Sequence, residues 1–537
     1  RKAETLCTHS KKAFKDILWM PFFLYICRMR ETLSDIALYH EYKATTDTNS
    51  LLSERTWEDL NLDDFFLFAD HTSSCVGRQY LYDVLHYNRT SEVAGQEKML
   101  DSLSADTVLR RDIQNELKKL NHVDACSIAS LFSATHPVCS RSFYLLLRVL
   151  QFIPALSLGL LYVTSSVGFL WLMLAGLLVN LVLHYRKKTE MQAYLFSVPQ
   201  LLNLLKQSEK LTKRPLCLST NKEITEVLSD LMPLRKRLAS FRLSIRLESD
   251  LAFMVYLFTE LFNMFFLTEA ISASRAFFLL QGKQQKLEQV FRFFGLIDVL
   301  CSVSEFRSKL PYYSLPESCP EEISFQVEDI YHPLIENCVS NAITLHGKSA
   351  LITGSNMSGK TSFIRSIGVN LLSAGALHTC FAHHFCSSPD LKLASAIHME
   401  DSLMEGKSFF LQEVQTVKEM IDLSREGNHL FLLDELFKGT NTIERIAIAK
   451  AVLSALVVQR NLVFISTHDI ELASLLKAEY DLYHFCESVE DGVLSFDYKL
   501  KSGPVTERNA IRILDICGYP QEVIQEAYGV VGRICGF

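Results

Sequence analysis

Residues Gly354-Ser355-Asn356-Met357-Ser358-Gly359-Lys360-Thr361 match the phosphate-binding pattern G-x-x-x-x-G-K-[ST]. Glycines in such a loop let backbone N–H groups wrap polyphosphate, and the helix that follows from Ser362 adds the partial positive charge of its N-terminus. Lys360 is placed to meet the β and γ phosphates of ATP, and Thr361 to offer its hydroxyl to Mg²⁺. A second constellation is the apolar run Leu430 to Leu433, ending in Asp434 and Glu435. The first carboxylate suits Mg²⁺ and the second suits polarising an attacking water. A third is Leu462 to Thr467, a buried-strand pattern that again ends in a polar group, His468. A chance glycine turn, a strand that merely ends in acids, and a structural histidine are the plain readings of each alone. Their succession in one chain favours a nucleotide site.

Such side chains need strands whose carboxyl ends meet. The β-like run Ser349 to Thr353 precedes the loop and a helical pattern, Ser362 to Leu372, follows it. Adjacent strand residues point to opposite faces, so Asp434 and Glu435 can serve one site only if the strand stops there. From Ser324 onward short β-rich runs alternate with helices, the pattern of an α/β domain. Upstream, Glu190 to Lys309 reads as helix, and Pro-marked Leu310–Pro320 reads as the boundary. The predicted class is α + α/β: a helical core with a transmembrane hairpin, then a C-terminal P-loop ATPase domain.

The apolar hairpin is read from a block without charge between Val149 and His184. Extended back to Phe143, which adds only Arg148, it breaks at Val163–Gly168 into two spans, about Phe143–Tyr162 and Gly168–His184, of ~26–30 Å each, close to a bilayer core. Arg141 and Arg148 flank one end and Arg186, Lys187 and Lys188 the other, so both ends are expected in the cytoplasm. A buried helical hairpin is the alternative. Ile17 to Cys27 is too short to span, and Leu251 to Leu280 holds Glu260, Glu269 and Arg275, which suits a long core helix better than lipid. The chain has 537 residues, 48% hydrophobic and 21% charged, so disorder is excluded. A net charge of −7 argues against nucleic-acid binding by bulk charge, and 14 cysteines without a CxxC pair fit a reducing compartment. The chain opens at Arg1, so a natural N-terminus is expected upstream.

The combined motifs resemble the MutS family of ABC-class ATPases. Thr353–Thr361 resembles its T-G-x-N-M-x-G-K-[ST], Leu433–Thr442 its L-D-E-x-x-x-G-T-x-T, and Ser466-Thr467-His468 its A-T-H. Glu405–Glu413 resembles the signature G-x-S-x-F-x-x-E, and Arg508–Ile524 the closing G-x-P-x-x-V-I stretch. Asp70-His71-Thr72, Gly77 and Leu81, and His332-Pro333, resemble further family positions. The resemblance implies an ATPase homodimer in which Glu435, His468 and Lys360 are catalytic. Gly354 through Ser362 hold ATP, Thr361 and Asp434 hold Mg²⁺, and Ser408 reaches the γ-phosphate of the partner's site. It also implies double-stranded or branched DNA as a partner. An ATPase redirected to a membrane or an unknown protein partner is the alternative.

Departures are visible. No mismatch-reading domain or Phe-x-Glu wedge is matched before residue 50, Ser355 and Ser358 replace Pro and Gly, and residues 337–341 lack an aromatic to stack on adenine. With the hairpin, this resembles the short, membrane-associated bacterial branch, expected at the cytoplasmic membrane with its ATPase domain inside. The expected segments are 1–50, a helical or membrane-proximal start; 51–142, the first part of the core; 143–185, the hairpin; 186–315, the second part of the core; and 316–537, the ATPase domain. His378, Cys380, His383, His384, Cys386 and His398 fit no common zinc spacing, and the basic run Arg235, Arg242, Arg246 reads as a solvated helix face.

Overall fold

The computed structural model describes residues 20–132, 141–214, 221–238, 262–319, 323–355, 357–397, 409–490, 493–504, 511, 514 and 518–535. Up to Arg307 it is helical: α1 (Met20–Thr46), α2 (Glu54–Asp59), α3 (Leu62–Ala69), α4 (Cys75–Leu85), α5 (Glu97–Ala105), α6 (Thr107–Leu117), α7 (Arg141–Leu150), α8 (Ile153–Thr164), α9 (Val167–Thr212), α10 (Asn221–Leu238), α11 (Thr268–Leu280) and α12 (Gln284–Arg307). Two compact units emerge. One comprises Arg1–Asp47, His71–Asp83 and Lys98–Ser302; the other comprises Thr48–Asp70, Val84–Glu97 and Val303–Phe537.

In the first unit the buried carboxylate of Asp298 organises a helix start. It accepts the N–H groups of Ser73 and Ser74, each at 2.8 Å, just before α4. These donors would otherwise be orphaned at a helix N-terminus. Tyr39, Phe132 and Phe291 pack edge and tilt into the same core.

The hairpin of this unit has the opposite polarity. Arg141–Thr164 and Val167–His184 are long and apolar enough to cross a membrane, and only 17% and 11% of their apolar windows is buried. Tyr162 is 89% and Trp171 69% exposed, whereas Ser157 and Asn180 are buried. Ser165, in left-handed conformation, caps α8 and turns the chain into α9. That helix does not stop at His184 but runs on to Thr212. At its foot Leu147 of α7 packs on Leu267, Ala270, Ile271 and Ala273, and Asn180 Nδ2 donates to the Phe265 carbonyl at 2.8 Å. The helix expected across 251–280 is broken in its described part: Leu267 takes φ 49° and α11 starts at Thr268.

The second unit is built on a sheet of order β12-β9-β4-β8-β7-β6. Its strands are β4 (Ser349–Thr353), β6 (Lys392–Ala396), β7 (His429–Asp434), β8 (Leu462–Thr467), β9 (Tyr480–His484) and β12 (Lys501–Ser502). All pairings are parallel except β12 with β9. A smaller sheet, order β1-β5-β2-β3, holds β1 (Glu317–Ser318), β2 (Ser324–Ile330), β3 (Asn341–His346) and β5 (His384–Ser387), and β10 (Glu487–Glu490) pairs with β11 (Val493–Phe496). The helices are α13 (Lys360–Leu377), α14 (Phe409–Ser424), α15 (Thr442–Leu456), α16 (Ile470–Leu476) and α17 (Gln521–Cys535).

The central strands are apolar throughout because both faces are covered. Phe431, Leu433, Val463 and Ile465 pack with Val417, Met420, Leu453 and Leu472. A Cβ on Gly368 of α13 would lie 2.7 Å from Leu432, so that helix lies tight on the alternate face. Each such large buried side chain contributes about 1.5–3 kcal/mol. Edge strand β6 is covered from far upstream. Asn88 exchanges two 3.1 Å bonds with the Leu393 backbone, Thr56 Oγ1 accepts the Ser395 N–H, and Asp59 accepts from Ile397 N–H at 3.0 Å. Residues 48–70 and 84–97 therefore pack with the α/β unit. Cys319 and Cys386 lie side by side, Cα–Cα 5.4 Å, where β1 pairs with β5.

Candidate nucleotide site

The phosphate loop leaves β4 and enters α13. Gly354 and Gly359 have φ 149° and 103°, a region that disfavours side chains. A Cβ at Gly354 would stand 2.6 Å from the Phe485 carbonyl, so space and torsion both require glycine there. Lys360 is the first residue of α13 and is buried. Its ammonium donates to the carbonyls of Gly354, 2.9 Å, and Ser355, 2.8 Å. Burial pulls its pKa down, while Glu435 and Asp434 act in the opposite direction. Ser358 Oγ donates to the Ser355 carbonyl at 2.8 Å, and Ser355 Oγ donates to Glu487 Oε2 at 2.5 Å. Met357 is exposed with φ 68°.

Three neighbouring parallel strands, β4, β8 and β7, end at one edge. There Thr361 Oγ1 donates to Asp434 Oδ2 at 2.7 Å, and the Ser466 hydroxyl donates to Asp434 Oδ1. A hydroxyl and a carboxylate are hard oxygen donors, the chemistry that Mg²⁺ prefers. Strand β7 stops at Asp434, and Glu435 takes φ 51°, its N–H held by the Ser466 carbonyl at 2.9 Å. The turn lets both carboxylates face the same edge.

Glu435 is heavily engaged. Its Oε1 lies 2.7 Å from His468 Nε2 and its Oε2 2.9 Å from Lys438 Nζ. The His468 hydrogen bond, then that of Lys438, lowers its pKa to about 2 against the desolvation of its site. Next to His468, Asp469 accepts from Arg445 Nε at 2.9 Å and Nη2 at 2.6 Å, which fixes the turn after β8. The structure thus brings Lys360, Thr361, Asp434, Glu435 and His468 together. Asn356 and Ser408 lie outside the described residues, as do His398, Arg242 and Arg246. Arg235 pairs with Glu209 at 2.7 Å, and Cys380 is buried.

A cavity of about 460 Å³ opens beside the loop, lined among others by Ile335, Cys338, Val339, Phe363 and Tyr498. Tyr498 supplies an aromatic ring that residues 337–341 lack. Its Cδ1 would lie 3.2 Å from a Cβ on Gly359. Asn341 ties it in, donating to the Tyr498 carbonyl at 3.0 Å and accepting the Leu500 N–H at 2.8 Å. Sequence reasoning missed Tyr498 and Glu487. Both lie shortly after β9, more than a hundred residues from the loop, and no local pattern marks them.

Similarity to known proteins follows the same region. The family model for MutS domain V matches residues 350–534. A DNA mismatch repair protein MutS of Thermus thermophilus is 30% identical over 210 residues, 38% of this chain and 25% of that protein. Its counterpart in Thermus aquaticus is 31% identical over 201 residues, 36% of this chain and 24% of that protein. The matched region thus spans about a quarter of the length of these curated relatives.

Proposed function

The chain belongs to the MutS family through its domain over residues 350–534, and on that premise we propose that this domain binds ATP with Mg²⁺ and hydrolyses it. The observation that carries the reading is the meeting of Thr361, Asp434, Glu435 and His468 at the ends of adjacent parallel strands, beside a phosphate loop. Thr361 and Asp434 are the residues to hold the ion, which neutralises phosphate charge when bound. Lys360 exchanges its two loop carbonyls for phosphate oxygens. Glu435, ionised at neutral pH, orients the attacking water and accepts its proton. His468 Nε2 exchanges its Glu435 contact for the γ-phosphate, to which it donates, and Tyr498 stacks on the base. In a homodimer, Ser408 of the partner subunit completes each site.

The finer reading is a membrane-anchored enzyme of the short bacterial type, with the hairpin in the cytoplasmic membrane and the ATPase domain inside the cell. The exposed apolar surface of Arg141–Thr164 and Val167–His184 supports the anchor. The relatives' name, DNA mismatch repair protein, supports action on DNA. A net charge of −7 favours the second reading, an engine turned to a membrane or protein partner. ATPase rates of the full chain in nanodiscs, with and without double-stranded and branched DNA, separate the two. Stimulation that vanishes at high salt supports DNA action. A rate indifferent to every DNA removes it, and no turnover at all removes the ATPase reading.

A further inference from the structure

Beyond the residues that face the cavity, one buried carboxylate is aimed at the catalytic turn. Glu413 lies on α14 and is 1% exposed. Its Oε1 accepts the backbone N–H of Phe437, while its Oε2 meets no hydrogen-bond partner among the described residues. Burying a carboxylate with one oxygen unpaired is costly, and an apolar side chain would avoid that cost. The position therefore needs an acceptor. Burial raises the pKa of this group, and Lys438 works against that rise.

The N–H that it holds belongs to an unusual stretch of chain. Glu435 and Phe437 both adopt left-handed backbone, φ 51° and 61°, and neither is glycine. Each such residue costs on the order of 1–2 kcal/mol, so the surroundings must enforce the turn. Glu435 N–H is anchored to Ser466, and the Phe437 ring is buried against Phe410 of α14. Glu413 supplies the anchor at the second left-handed residue. Without it, Phe437 N–H would be a buried donor without a partner, and the turn would relax toward ordinary torsions. That relaxation would carry the Glu435 carboxylate away from His468 and from the edge where Thr361 meets Asp434.

We propose that Glu413 is a positioning residue for ATP hydrolysis: its buried carboxylate clamps Phe437 N–H and thereby holds the left-handed turn that aims Glu435. This rests on the hydrolysis reading above. It ties α14 mechanically to the catalytic turn, because the same helix supplies both the clamp and the Phe410 ring.

The test uses the full chain in nanodiscs and compares wild type, Glu413→Ala, Glu413→Gln, Glu435→Gln and the Glu413→Ala/Glu435→Gln double variant. Turnover and the affinity for a fluorescent ATP analogue are measured separately. Glu413→Ala is expected to lower kcat by roughly 10- to 100-fold, since small misplacements cost that much, with nucleotide affinity unchanged. Glu413→Gln keeps an acceptor for Phe437 N–H and should restore most of the rate. The double variant should match Glu435→Gln, because Glu413 acts through Glu435. If the smaller alanine destabilises the fold, Glu413→Leu fills the volume without an acceptor and repeats the test. An Ala variant as fast as wild type, a Gln variant as slow as Ala, or a further loss in the double variant would overturn the proposal alone. A wild type that binds the analogue but never turns it over would overturn the hydrolysis reading, and this one with it.

Discussion

The α/β unit and the apolar hairpin solve opposite problems with the same residue types. At the ends of β4, β7 and β8, apolar side chains are inside and polar groups converge on one edge, each with a partner. Along α7, α8 and the first half of α9 the order is inverted: Leu156, Leu174 and Trp171 are exposed, and Asn180 is buried with its amide on a backbone carbonyl. The contrast is the one expected if the hairpin lies in hydrocarbon, as proposed above. Water rewards the first arrangement and penalises the second, whereas hydrocarbon does the reverse.

Placing charge on the hairpin breaks this contrast most severely. Leu160→Arg with Leu174→Arg should cost insertion about 5–7 kcal/mol together if both face lipid. The chain would then leave the membrane fraction or aggregate, as flotation would show. If the surface faced water, two exposed arginines would be nearly silent. Lys360→Ala comes next. It removes a buried ammonium that reaches the loop carbonyls, and ATP affinity should fall by about 3–4 kcal/mol, roughly 100- to 1000-fold, in a nucleotide titration.

A pH titration sharpens the polar side of the comparison. The folded pKa of Glu435 is about 2 against a model-peptide value of 4.5. A depressed carboxylate contributes stability above the unfolded value, and that stability is lost as pH falls from about 4.5 toward 2. His468→Ala removes the first cause of the shift, so acid unfolding between these limits should become shallower in a series of melts. The smallest effect is expected at the foot of the hairpin. Asn180→Leu loses the bond to the Phe265 carbonyl and should cost about 1 kcal/mol, read as a lowered Tm in detergent.

What was legible in the sequence follows from range. The phosphate loop, with its glycines at φ 149° and 103°, sits between strand and helix as its local pattern requires. The stop of β7 at Asp434 was legible too, because two adjacent carboxylates at one edge demand it. Both depend on neighbours in the chain. Pairings at long range left no such mark. Thr56, Asp59 and Asn88 cover the β6 edge from more than three hundred residues upstream. Tyr498 lines the cavity and is held by a bond from Asn341, and Cys319 meets Cys386. Composition also misled at 251–280, where apolar runs read as one helix but Leu267 turns the chain before α11. A hydrophobic pattern reports burial better than it reports breaks.

The most direct test of the account is Glu435→Gln in the full chain, with ATP binding and turnover measured on the same preparation. The substitution keeps the side chain's shape and removes its basicity. The account predicts retained nucleotide binding with turnover reduced by about 10²- to 10⁴-fold, the usual share of a general base. Turnover close to wild type would contradict it, because the acceptor of the water's proton would then lie elsewhere.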